Sequence, residues 1–245
     1  MKGRFYERDL AYVHDDGFGG PARSWAPVVL SLLKSQRTGN NLVVDLGCGS
    51  GILAEKLSRA GYEVEGIDSS AAFLMLARKR APKARFRNES LFRVSIPSCA
   101  MVVSTGECLN YLFDPRSNQS GLLSLFRRIY AALDPGGLFI FDLADQGQVP
   151  PGQVIRNFTE GKGWIVLVEK IENPHNYVLT RRIITFRKIG TTWRRSEETH
   201  RQRLYKTAEI LRILRAAGFQ ARTFPHRKAP WLSPAHTAFF ARKIN

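Results

Sequence analysis

The sequence predicts an α/β fold: a mostly parallel sheet covered by helices on both faces, with an antiparallel meander inserted before its last elements. Three observations carry this expectation. Between residues 42 and 143 short apolar runs alternate with helical patterns, and a glycine-rich turn follows the first of those runs. After Pro150-Pro151 the apolar residues recur with period two instead.

The elements follow in order. Leu42-Val43-Val44, bounded by Asp45 and glycines, predicts a strand buried on both faces. Leu53, Leu57 and Ala60 recur at helical spacing, and the run 61–67 predicts a second strand. Phe73, Leu74, Leu76 and Ala77 mark a second helix that ends before Pro82. Short strands are expected at 84–86 and 101–104. Leu122, Phe126, Ile129, Tyr130 and Leu133 form one apolar stripe, which predicts a helix over 118–133. It stops at Asp134-Pro135-Gly136-Gly137, where proline cannot continue a helix and glycine takes the turn. The run 138–141 is then a buried strand. Farther on, 164–168, 177–188 and 192–205 alternate with period two and read as the meander. An amphipathic helix is expected over 206–217 (Ile210, Leu211, Leu214), closed by Gly218, with a last strand at 237–241.

Composition narrows the function classes. The chain has 245 residues and 44% hydrophobic content, enough for a proper core. No apolar run has the length of a membrane helix, and the start lacks the apolar segment of a signal peptide. Cys48, Cys99 and Cys108 fit neither a disulfide framework nor a zinc pattern, so no metal and a cytoplasmic setting are expected. The Asn-x-Ser/Thr triplets at Asn88, Asn118 and Asn157 then carry no glycosylation. Charge is unevenly placed: residues 151–245 hold 19 basic and 6 acidic side chains of a chain whose net charge is +16. That half points either to a polyanion partner or to arginines solvated on strand faces.

The chemistry sits in Val43-Val44-Asp45-Leu46-Gly47-Cys48-Gly49-Ser50-Gly51, which ends a strand and opens a helix. Glycines at 47, 49 and 51 let the backbone turn sharply and let a ligand lie against bare main chain. The following helix points its free N–H groups at that ligand. Asp68, at the tip of the next strand, is placed to accept hydrogen bonds from two ribose hydroxyls. The dinucleotide fingerprint fails, because its third small position is Ile52, and no lysine follows to make a P-loop.

A G-x-G-x-G loop preceded by Asp45 resembles the first motif of the Rossmann-like, class I S-adenosylmethionine-dependent methyltransferases. Gly66-Ile67-Asp68-Ser69 resembles their second-strand segment, and 88–91 the adenine-contacting stretch, with Glu89 and Ser90 where relatives have Gly-Asp. Thr105 and Gly106 stand where relatives line the methionine end. Asp134-Pro135-Gly136-Gly137 and Ala217-Gly218-Phe219 match further segments, while Ala100 departs from a common Asp. The resemblance implies a seven-stranded sheet, mostly parallel with the last strand antiparallel and helices on both faces. It implies one methyltransferase domain over 1–245: an N-terminal helical lid at 1–36, a cofactor-binding core at 37–145, an inserted sheet covering substrate at 151–205, and a closing helix and strands at 206–245. The implied cofactor is S-adenosyl-L-methionine, with S-adenosyl-L-homocysteine as product. Its contacts would be Asp45, Gly47, Cys48, Gly49, Gly51, Asp68, Ser69, Ser90, Leu91, Thr105 and Gly106.

The segment Gly106-Glu107-Cys108-Leu109-Asn110-Tyr111 lacks the [ND]-P-P-[FY] of amino-methylating nucleic-acid enzymes and resembles small-molecule members. The expected acceptor is a small molecule methylated on nitrogen or oxygen ahead of carbon. The alternatives are an RNA or protein acceptor, or a non-catalytic cofactor-binding protein. His14, Glu107 and Tyr111 are the candidate catalytic groups. His14 lies in a polar, glycine-rich stretch that suits a mobile lid or else a plain surface turn. Glu107 falls at the carboxyl edge of the sheet, where open α/β folds bind ligands; it would otherwise serve the following helical turn. Asn110 and Tyr111 are placed for the methionine end or the substrate, unless Tyr111 is simply core. His200 is a further candidate base, favoured instead as a solvated strand histidine; Cys48 is expected to be a small filler, and Trp25, Trp164, Trp193 and Trp231 to pack rather than wall an aromatic site.

Overall fold

A computed structural model describes residues 5–36, 39–225 and 229–244. The outermost residues of the expected N-terminal and C-terminal segments lie outside these ranges, as do 37–38 and 226–228. Two helices, α1 (Arg8–Gly17) and α2 (Gly20–Ser35), precede the alternating core. Then come β1 (Leu42–Leu46), α3 (Ile52–Arg59), β2 (Glu63–Asp68), α4 (Ala71–Arg80), β3 (Arg85–Asn88), β4 (Cys99–Ser104), α5 (Gln119–Ala132) and β5 (Leu133–Ala144). Four antiparallel strands follow: β6 (Ile155–Gly161), β7 (Trp164–Asn173), β8 (Val178–Ile189) and β9 (Thr192–Arg203). The chain closes with α6 (Thr207–Ala216), β10 (Gln220–Thr223) and β11 (His236–Arg242).

The main sheet has seven strands in the order β10-β11-β5-β4-β1-β2-β3. Only β11 runs against the rest, pairing antiparallel with both β5 and β10. The expected fold class is therefore the observed one. All five residues of β1 and all six of β4 are buried, as the unbroken apolar runs require of strands covered on both sides. On one face Val44, Val102 and Phe139 pack with Phe126 and Ile129 of α5 and Leu214 of α6. On the other, Val43, Met101 and Ile140 meet Trp25 and Val29 of α2 and Leu53 and Leu57 of α3.

Four expectations need correcting. The meander has four strands, because β6 was not anticipated; its residues are almost all exposed and show no apolar alternation. β10 was also missed, for it is a short edge strand of polar residues. The turn at 134–137 does not precede the fifth strand but sits inside it: the pairing slips between Cys99–Leu133 and Met101–Leu138, and the glycines absorb the irregularity. The stretch from His14 to Gly17 is not a loop or surface turn but the last turn of α1. It is held there because Asp15 accepts from Arg80 and from the Ser50 hydroxyl at 2.6 Å, while Asp16 accepts from Trp164 Nε1 at 2.7 Å.

The inserted sheet stands over the carboxyl ends of the parallel strands. Its inner face carries Trp164, Val166 and Ile183, which pack with Leu10 and Val13 of α1. A strap at residues 5–7 runs beneath it. Glu198 of β9 accepts from the Tyr6 N–H at 2.7 Å and the Glu7 N–H at 2.9 Å.

Candidate active site

β1 ends in the glycine turn. Gly47, Gly49 and Gly51 all have positive φ, of 81°, 52° and 77°. The Gly47 and Cys48 N–H groups donate to Ile67 O at 2.7 and 3.1 Å, tying the turn to β2. Asp68 completes the brace, accepting from Gly49 N at 2.9 Å and Ser70 N at 2.8 Å. A Cβ built at Gly49 or Gly106 meets no protein atom within 4 Å, so at these two positions bare main chain faces open space. Gly51 does not line the cleft; a Cβ there would lie 2.9 Å from the Ala77 Cβ, which makes it a packing position between α3 and α4.

Two connected cavities meet at this turn. One is walled by Gly47, Gly49, Asp68, Ser69, Ser90 and Leu91, with Phe73, Phe92, Phe113 and Asp114 not foreseen from sequence. The other lies beneath the inserted sheet and is walled by Asp45, Cys48, Glu107, Lys170 and Arg181 among apolar neighbours. Tyr6, His14, Gly47, Gly49, Thr105, Gly106 and Tyr111 line both, so the chambers open into each other there. Of the fourteen residues expected at the site, all but Gly51 face one chamber or the other. The four tryptophans face neither.

Charge in this cleft is set by burial. Burial lifts the Asp68 carboxyl to about 6, although the Ser70 and Gly49 N–H groups pull the other way. Burial, and then the neighbouring Asp68, lift Asp45 to about 7. Burial lowers His14 to about 4, so its imidazole is neutral at pH 7. Its ring is surrounded by Tyr6, Phe18 and Phe73.

Glu107 differs from its acidic neighbours. Arg181 donates to it at 2.9 Å, Gln202 donates at 2.7 Å, and His236 Nε2 lies 2.6 Å away. Burial alone would raise its carboxyl, but Arg181 and His236 win and hold it well below the usual range. The backbone there is left-handed, with φ of 61°, and Asp142 supports it by accepting from Gly106 N at 2.8 Å and Glu107 N at 2.7 Å. Trp25 Nε1 donates to the other Asp142 oxygen at 3.0 Å. Asp142 was not anticipated, since it lies within a buried apolar strand. Tyr111 shares a 2.7 Å hydroxyl–hydroxyl bond with Tyr6, and burial raises it to about 12.

Two expectations change here. Asn110 does not face a ligand: its side chain is engaged by the main chain of Ala144 and Arg203. His200 is not solvated; it is fully buried with Nε2 2.8 Å from Glu198, because the face of β9 bearing Glu198, His200 and Gln202 turns inward onto the strap.

Part of this cleft lies in a segment that matches known proteins. The methyltransferase-domain family pattern matches residues 43–137, from the first strand through the glycine turn to the fifth-strand irregularity. Over this segment the chain is similar to methyltransferases. It is 37% identical over 126 residues to a trans-aconitate 2-methyltransferase of Paracidovorax citrulli, a match covering 50% of this chain and 46% of that one. The chain thus spans under half the length of this relative. An S-adenosylmethionine-dependent methyltransferase from Clostridium acetobutylicum superposes with a TM-score of 0.78 at 18% identity, covering 96% of this chain and 98% of that one. S-adenosylmethionine-bound CalS10, an amino pentose methyltransferase from Micromonospora echinaspora, gives 0.74 at 18% identity over 99% of both chains.

Two predictions concern the Asp68 side of this cleft. Asp68 accepts hydrogen bonds best as a carboxylate, and it holds its proton up to about pH 6. Affinity for S-adenosylhomocysteine should therefore be full above pH 7 and fall below 6, with proton release on binding detectable by calorimetry in two buffers. The same raised value makes the folded form bind more protons than the unfolded one between ~4 and 6, so Asp68 lowers ligand-free stability as pH rises through that window. Gly47→Ala places a Cβ 2.3 Å from Cys108 Sγ on left-handed backbone. It should cost about 1–3 kcal/mol in thermal unfolding and weaken nucleoside binding with it.

Proposed function

We propose that this methyltransferase holds S-adenosylmethionine across the glycine turn and methylates a nitrogen or oxygen of a small molecule lodged beneath the inserted sheet. The observation that supports this most is the continuity of the two chambers past Thr105, His14 and Tyr111. When bound, the cofactor supplies a methyl group activated by a positively charged sulfur. Asp68 would take the ribose hydroxyls, Ser90 and Leu91 would border the base, and bare main chain at Gly49 and Gly106 would admit the amino-acid portion. Asp45 and Cys48 complete that wall.

The remaining contribution of the chain is placement, which can supply ~7–11 kcal/mol of a displacement barrier. Tyr6 of the strap lines both chambers, and Val166, Lys170 and Arg181 of the inserted sheet roof the second. Among the catalytic candidates, Glu107 is a fixed negative charge that orients Arg181 and is poorly suited to take a proton. Tyr111 stays protonated and offers a hydroxyl for orientation. His14 is neutral and weakly basic, which suffices where the acceptor arrives protonated only part of the time.

An RNA or protein acceptor was suggested by the basic second half. Several of those arginines are engaged in ion pairs: Arg156 with Glu169 at 2.8 Å, Arg182 with Glu197 at 2.6 Å, and Arg187 with Asp9 at 3.1 Å. Release of S-adenosylhomocysteine on incubation with a small-molecule library tests the reading and is the expected result. No turnover, together with RNA affinity that falls steeply with salt, would contradict it.

A further inference from the structure

Lys170 of β7 and Arg181 of β8 are direct register partners, and both line the chamber beneath the inserted sheet. Like charges directly opposite on one sheet face repel each other. The surroundings do little to relieve them. Val166, Val168, Ile183 and Leu10 supply apolar walls. Arg181 has Glu107, but that carboxylate is shared with Gln202 and His236, and Arg181 Nε is buried with no hydrogen-bond partner. Lys170 has no ion pair or hydrogen bond among the described residues. His14 is neutral, and Asp45 stands on the glycine-turn side of the chamber, where the positive end of the cofactor would lie. A partly buried cation pair with one shared counter-ion is costly unless a ligand completes it.

We propose that the methyl acceptor carries a carboxylate, and that Lys170 and Arg181 together receive it. This rests on the proposed function and names the substrate class for the same site. Arg181 offers its guanidinium and Lys170 its ammonium to the chamber they line, charge-assisted donors suited to two carboxylate oxygens. The net charge of +16 favours the approach of such an anion. The carboxylate on the amino-acid portion of the cofactor is the other source of the same chemistry, and the test separates the two.

Calorimetry on the S-adenosylhomocysteine-loaded protein, with matched pairs of acids and amides (succinate and succinamide, benzoate and benzamide), reads the preference. In at least one pair the acid should bind about tenfold more tightly. Lys170→Met should erase that preference, Lys170→Arg should restore it, and neither should change S-adenosylhomocysteine affinity more than about twofold. Three results would overturn the inference: amides equal to acids in every pair, including no binding of either; unchanged acid binding in Lys170→Met; or a loss of about tenfold in its S-adenosylhomocysteine affinity, which would assign the cations to the cofactor. If the unaltered protein fails to bind S-adenosylhomocysteine at all, the proposed function falls first and the inference with it.

Discussion

Asp68→Ala should weaken S-adenosylhomocysteine binding by roughly a hundredfold. Hydrogen bonds to a charged acceptor contribute ~1.5–3 kcal/mol each, and two ribose hydroxyls would depend on this carboxylate. The same side chain also fixes the loop, since it accepts from Gly49 N and Ser70 N. Removing it therefore leaves two main-chain donors without their partner as well as the ligand. Asp68→Asn keeps one acceptor oxygen and should lose less, so the order of affinities is Asp, then Asn, then Ala. Equal affinity of all three in calorimetry would contradict the assignment.

Glu107→Ala should unfold the protein at a much lower temperature. Arg181 and Glu107 are each more than four-fifths buried, and their pairing is backed by Gln202 and His236. Deleting one member of a buried pair leaves the other charge uncompensated, at a cost of about 3–5 kcal/mol. For a chain of this size that lowers Tm by roughly 10 °C. The sign with pH follows from the depressed carboxyl. The stabilisation is present above the unfolded value and is lost only in strong acid, so the gap between Glu107→Ala and the unaltered protein should persist from pH 5 to 8. Calorimetric melts that coincide would remove Glu107 from this role.

The contribution of sequence to this account divides along physical lines. The glycine turn, Asp68 and the alternating core are contiguous signals, because backbone freedom, a strand tip and an apolar run are each written locally. Lys170 and Arg181 are not legible in that way. They meet only through the register of β7 on β8, which nothing within either strand specifies. His200 shows a related failure: Glu198, His200 and Gln202 alternate like a wet face, yet the strap at 5–7 covers them and supplies the N–H groups that satisfy Glu198. Tyr6 was invisible for the same reason, since its place over the cleft depends on that distant carboxylate. The glycines at 17, 19 and 20 suggested a loop around His14, whereas Arg80 and Trp164 keep Asp15 and Asp16 on the last turn of α1.

A structure of the protein with S-adenosylhomocysteine tests the central claim most directly. The ribose should lie on Asp68, the base beside Ser90 and Leu91, and the sulfur between Thr105 and Tyr111, facing the chamber of Lys170 and Arg181. A nucleoside bound away from the glycine turn, or a sulfur turned from that chamber, would contradict the account.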